Sequence, residues 1–250
     1  FLKMALTQKI HKKLKIILVM VFVLLPFSLK AESLKILIDP GHGGVDQGAH
    51  AGTLKESDLT LQISKILKTE LDKDSSFKTY LTRNSDIYLS LETRVKRVDE
   101  IKADILLSIH ANSSLDKNLK GFEIYFANNL NLTEESFLAE PTKSNDILMI
   151  VQDLKRQSWM ENSLKLSSEI MQNWENNPEP KNIKQGPFYV LNQSKATAVL
   201  LELGYMSNPE DLKDFQDPQK HKKWANSIYK ALLSYRENLE KDNKLALKLK

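Results

Sequence analysis

The 250-residue chain contains no cysteine. That excludes a disulfide framework, a thiolate metal site and a cysteine nucleophile, so a transition-metal site must be assembled from histidines and carboxylates. An apolar run long enough to cross a bilayer is also missing. Residues 16–25, IILVMVFVLL, fall short of the roughly 20 that a spanning helix needs. Positive charge is in excess only at the N-terminus. Residues 1–31 hold six of the 36 basic side chains and no acid, leaving 30 basic against 32 acidic. Bulk charge therefore makes no case for nucleic-acid binding. Glycine is scarce, with 8 residues, yet Gly41, Gly43 and Gly44 crowd around one histidine, His42.

The first 31 residues have the layout of an export signal. Lys9, Lys12, Lys13 and Lys15 form a basic start, the apolar stretch follows, and SLKA offers a cleavage point after Ala31. A signal peptide over 1–31 is expected, with no stable membrane anchor once it is removed; a retained N-terminal anchor is the alternative. A single catalytic domain is expected over 32–240, followed by a basic tail, KDNKLALKLK, over 241–250, read as a frayed helix end.

Within the domain, apolar runs alternate with amphipathic stretches. Strands are expected at 34–39, 77–82, 104–109, 121–127, 187–191 and 197–203. DILLSI and TAVLLEL are almost continuously apolar, as central strands covered on both faces should be. Leu59, Ile63, Ile66, Leu67 and Leu71 mark one helix face, and Leu91, Val95, Val98 and Ile101 another, with Ser90 as its N-cap. A third helix is expected around Leu164–Trp174 and a fourth over about 222–240. The pattern predicts a three-layer α/β fold: a mainly parallel sheet of about six strands flanked by helices. Residues 129–160 are polar and interrupted, and read as a variable, regulatory insertion.

In open α/β sheets, ligands bind beyond the carboxyl ends of strands. His42 follows the strand at 34–39, His110 ends the strand at 104–109, and Glu202 ends the strand at 197–203. The glycines beside His42 allow tight turning and close backbone approach. Glu56 begins the first amphipathic helix, where a carboxylate suits the helix end in any protein. Combined with His42 and His110, however, it completes a ligand set used by catalytic zinc, with a fourth position left to water. His50 reads as a solvated loop residue and His221 as exposed at a helix start.

The stretches DPGHGGVDQGA with LKES, TRNSDIYLSLETR, SIHANSS and KQGPFYVLNQSKATAVLLELGYMSNPED resemble, in order and spacing, the zinc-dependent N-acetylmuramoyl-L-alanine amidases of the amidase-3 type. The resemblance covers residues 34–238. It implies one Zn2+ held by His42, Glu56 and His110, with Glu202 as catalytic base and acid. It also implies a peptidoglycan substrate, cut at the amide between N-acetylmuramic acid and L-alanine. At weaker matches, Asn112 is expected to hold a strand-end turn or touch substrate, Arg83 and Arg94 to anchor loops, and Asp39 to orient the His42 loop through backbone hydrogen bonds.

In some exported relatives of this kind an inserted helix plugs the site until an activator protein withdraws it. The corresponding stretch here is shorter, so it is expected to modulate access without fully occluding the site, with an activator protein as a candidate partner. The expected location is a periplasm, with cell wall or extracellular space as the alternative. Two other readings compete: a peptidoglycan-binding protein that no longer hydrolyses, and a zinc hydrolase acting on a different amide.

Overall fold

A computed structural model describes residues 33–128, 143–175 and 182–248. The expected signal peptide and the first part of the insertion, 129–142, lie outside these residues. The runs of apolar β-branched and leucine residues form the strands, and their order sets the site. β1 (Leu34–Pro40), β4 (Phe77–Leu81), β5 (Ile105–Asn112) and β8 (Thr197–Tyr205) are parallel neighbours. The sheet order is β4-β1-β5-β8-β6-β7. β6 (Glu123–Ala127) runs antiparallel to β8, and β7 (Ile183–Gly186) pairs parallel with β6 at the edge. A small hairpin, β2 (His50–Ala51) with β3 (Leu54–Lys55), precedes the first helix. The sheet is six-stranded and mainly parallel, as the periodicity predicts.

Helices cover both faces. α1 (Glu56–Leu71), α3 (Lys143–Asn173) and α6 (Pro218–Lys248) pack Leu59, Ile63, Ile170 and Ile228 against Ile36, Ile38, Leu107 and Val199. On the other face, α2 (Leu91–Ile101) and the single turn α4 (Tyr189–Asn192) cover Leu37, Leu106, Ala198 and Leu200 with Val98, Val190 and Leu191. Every residue of β8 is buried, which is why its sequence shows no alternation. Each fully buried leucine or isoleucine contributes about 1.5–3 kcal/mol. Ser90 caps α2 as expected, its hydroxyl accepting from Thr93 N at 3.2 Å. α5 (Pro209–Phe215) follows β8, capped by Asn208.

Three expectations need correction. Residues 187–191 are not a strand: Pro187 has no N–H to donate, the strand lies before it at β7, and the apolar signal of FYVL comes from α4 packing onto the sheet. The insertion is helical from Lys143 onward, as the first half of α3. No glycine or proline interrupts 143–173, but its apolar residues (Ile147, Leu148, Ile150 and Val151 among them) fall on every side, so no amphipathic period announces the helix. The basic stretch 241–248 forms the end of α6, in keeping with its reading as a helix end. His221 is buried, donating from Nε2 to Phe215 O at 2.9 Å and stacking on Trp224, and burial lowers its pKa.

Candidate metal and proton-transfer site

The end of β1 is held by two buried arginines. Arg94 donates to Asp39 Oδ1 (2.7 Å), Pro40 O (2.8 Å) and His42 O (2.7 Å). Arg83 donates to Pro40 O (3.0 Å), Gly41 O (2.7 Å) and Ser57 O (2.8 Å), tying the loop to the start of α1. Both are structural anchors, as expected. Asp39 works differently from expectation. Its carboxylate takes side-chain donors, Thr82, Ser108 and Arg94, and so steers the loop through Arg94. Held in this way, His42 adopts a left-handed φ of 59°, an uncommon conformation for a residue with a side chain.

The loop delivers His42 to Glu56 and His110. Glu56 is buried at the first position of α1, and its Oε2 and Oε1 accept from Ala49 N (2.9 Å) and Ala111 N (3.0 Å). His42 Nε2 lies 3.1 Å from Glu56 Oε2, and His110 Nδ1 lies 3.0 Å from Glu56 Oε1. The two imidazoles meet edge to face with centroids 5.0 Å apart. One donor atom from each residue falls within 4.8 Å of the others. Donors about 2.1 Å from one tetrahedral ion stand roughly 3.4 Å apart, so this set fits a single divalent cation with little adjustment.

Two glycines are needed for this convergence. A Cβ on Gly41 would lie 2.3 Å from the His110 ring, and one on Gly48 would lie 2.5 Å from Glu56 Oε2 and 2.7 Å from His42 Cδ2. The ring of one ligand therefore rests on the backbone that carries the other.

Two acids escaped the sequence reading. Asp46 Oδ1 sits 2.9 Å from His42 Nδ1, on the side away from Glu56. A proton kept on Nδ1 leaves Nε2 as the free lone pair facing the cation position. Its signal was the His-x3-Asp spacing inside the glycine loop. Glu123, buried in β6, is the register partner of Glu202; only knowing that β6 runs beside β8 would have exposed it.

Electrostatics set the protons. Burial disfavours a charged His42, but the hydrogen bonds and charges of Glu56 and Asp46 outweigh it and raise the imidazole to about 9. Burial likewise works against the Glu56 carboxylate, yet His110 and His42 hold its pKa far below the usual range. Glu202, register partner of His110 on β8, is pushed up to about 7 by burial, with the charges of Glu56 and Glu123 adding to the rise and His110 opposing it. Its Oε2 is buried without a hydrogen-bond partner, and among the described residues it forms no ion pair.

Asn112 stands where the β5–β8 register shifts. Its side chain accepts from Ser113 N (2.8 Å) and its carbonyl from Met206 N (2.7 Å), holding the strand-end turn. His50 is exposed, turned toward Gln47 (2.9 Å) and apart from the trio.

Two imidazoles and a carboxylate at the rim of a mainly parallel sheet, beside an unpaired buried glutamate, define the class: an α/β protein whose three donors could hold one cation, as in hydrolase sites. The family model for N-acetylmuramoyl-L-alanine amidase matches residues 36–234. The chain belongs to that amidase family. It is 30% identical over 260 residues to the Haemophilus influenzae protein named "Probable N-acetylmuramoyl-L-alanine amidase AmiB", covering 92% of this chain and 60% of that one. A Buchnera aphidicola protein also named for N-acetylmuramoyl-L-alanine amidase is 31% identical over 228 residues, with 82% and 95% covered. The crystal structure of the amidase from Clostridium difficile 630 superposes with a TM-score of 0.65 at 26% identity, over 83% of this chain and 98% of that one. The chain thus spans about three fifths of the Haemophilus relative's length. Among the described residues, no helix is long and apolar enough to cross a membrane.

Proposed function

We propose that the chain is an exported zinc amidase that hydrolyses the bond between N-acetylmuramic acid and L-alanine in peptidoglycan. His42, Glu56 and His110 would hold one Zn2+, and Glu202 would move the proton. The observation that carries this reading is the convergence of those three donor atoms within 4.8 Å beside a buried carboxylate that lacks a partner. Bound there, the ion supplies Lewis acidity, polarising a carbonyl and making water acidic enough to lose a proton near neutral pH. Asp46 keeps His42 in the tautomer that can ligate. Arg94 and Arg83 fix the loop so that little motion is needed as the site forms. Glu202, with a pKa raised to about 7 by burial, suits both halves of the proton transfer: its free oxygen accepts from the attacking water and returns the proton to the departing alanine nitrogen.

A protein that binds peptidoglycan without cutting it fits less well, because both the donor trio and the unpaired acid are intact. Digestion of purified sacculi followed by mass spectrometry tests the proposal. Stem peptides with free L-alanine amino termini, and glycan strands with unsubstituted lactyl groups, are expected. Products cut at any other amide would replace this reading with the other zinc-hydrolase one. Residues 1–31 are proposed as the signal peptide and a periplasm as the location, on the layout of the leader. A regulatory role for 129–160, with an activator as its partner, is likewise a proposal.

A further inference from the structure

The proton transfer described above makes no use of Glu123, a buried acid one strand from Glu202. Its carboxylate accepts from Tyr125 Oη (2.7 Å), Tyr205 Oη (3.1 Å) and Lys184 Nζ (2.6 Å). The two phenols serve a buried acid adequately. Lys184 differs from them: it comes from the edge strand β7, and its side chain stays 44% exposed. An ammonium has three N–H donors, and among the described residues Glu123 is the one hydrogen-bond acceptor Lys184 has.

Register puts this ammonium on the face that carries Glu202. Lys184 pairs with Tyr125, and Glu123 pairs with Glu202; Tyr125 and Glu123 are two residues apart on one strand, hence on one side. The Tyr125 ring lies 5.6 Å from the ammonium and meets Phe188 edge to face at 5.0 Å, forming an aromatic shelf. Gly186 makes room for it, since a Cβ there would lie 2.6 Å from the Phe188 ring and 2.9 Å from Tyr125. This absorbs the KQGPF stretch, which the metal site leaves without a role.

Resting on the amidase reading, we infer that Lys184, backed by Glu123 over the Tyr125–Phe188 shelf, is a subsite for a substrate carboxylate on the peptide side of the scissile amide. Adjacent strands lie about 4.8 Å apart; Lys184 stands two strands from Glu202, on β7, and its side chain carries the ammonium back to Glu123 on β6, the strand between them. Two extended residues span at most about 7 Å. The second residue of the stem peptide, a glutamate with a free α-carboxylate, can therefore reach Lys184 while the alanine nitrogen stays at Glu202. Because Glu123 balances the ammonium's charge, the subsite contributes directed N–H donors more than net charge, and it selects a carboxylate at one position over anions at large.

The test is calorimetric binding to the zinc-loaded Glu202→Gln chain, with N-acetylmuramoyl-L-alanyl-D-glutamate and its D-isoglutamine counterpart, whose α-carboxylate is an amide. About tenfold tighter binding of the glutamate form is expected, as for a hydrogen bond to a charged group. Adding Lys184→Met should bring both ligands to the isoglutamine affinity, and Lys184→Arg should keep the preference. Equal affinities in the parent, a preference that survives Lys184→Met, or binding of neither ligand overturns the subsite. If the native chain cuts sacculi and no preference is found, the subsite alone fails. If the Lys184-dependent preference is found but the native chain releases no stem peptides, the subsite stands and the amidase reading fails.

Discussion

Glu202→Gln is expected to lower the release of stem peptides by a factor of about 10²–10⁴, the usual range for loss of a general base, while zinc content stays near that of the native chain. Glutamine keeps the size of the side chain and removes its basicity. Glu202 touches none of the three ligand residues through a hydrogen bond in this structure, so metal retention should be independent of it. The pH dependence has a definite sign. Glu202 must be ionised to accept a proton, and burial raises its pKa to about 7. Activity of the native chain should therefore fall as the pH drops through about 7. In Glu202→Gln that acidic limb should vanish from whatever rate remains. A variant that hydrolyses normally would show that the base lies elsewhere.

Gly41→Ala should be nearly as damaging, by a different route. The added methyl would stand 2.3 Å from Cε1 of His110 and 2.6 Å from both ring nitrogens. The ring cannot stay where it is, and the backbone at Gly41 cannot yield, because Arg83 and Thr60 hold its carbonyl and its N–H donates to Ile109 O. Overpacking of this kind costs about 1–3 kcal/mol in stability. Its larger consequence is displacement of a ligand, so zinc affinity and hydrolysis should both collapse while the chain still folds. Circular dichroism and bound zinc, measured on the same sample, separate the two effects.

The strand ends were legible because the chemistry sits where an apolar run stops. ILID gives way to PGHGG, LLSI to His110, and VLLEL carries Glu202 at the end of a run with no other charge. The parallel centre β1, β5 and β8 is mainly apolar up to the strand ends, so both the sheet and the rim followed from the same residues. Glu56 was ambiguous, since a carboxylate at a helix start is favourable in any protein; its convergence with the histidines depends on the hairpin β2–β3 turning the chain back. Asp46 and Glu123 depend on geometry that no period encodes: a left-handed His42 in one case, the antiparallel pairing of β6 with β8 in the other. The edge strand IKQG is short and polar, so the more apolar FYVL beside it drew the strand assignment away. The helix over 143–160 hid for the opposite reason, its apolar side chains being spread around the axis.

Titration of zinc into the metal-free chain at pH 7 addresses the shared-cation claim most directly. In the absence of metal, Glu56 and Asp46 hold His42 protonated, with a pKa raised to about 9, so ligation at Nε2 must expel that proton. One zinc per chain is predicted, with about one proton released from His42 on binding, read from the heat in buffers of different ionisation enthalpy. Affinity should rise with pH up to about 9. No stoichiometric binding, or binding that Glu56→Ala leaves unchanged, would contradict the account.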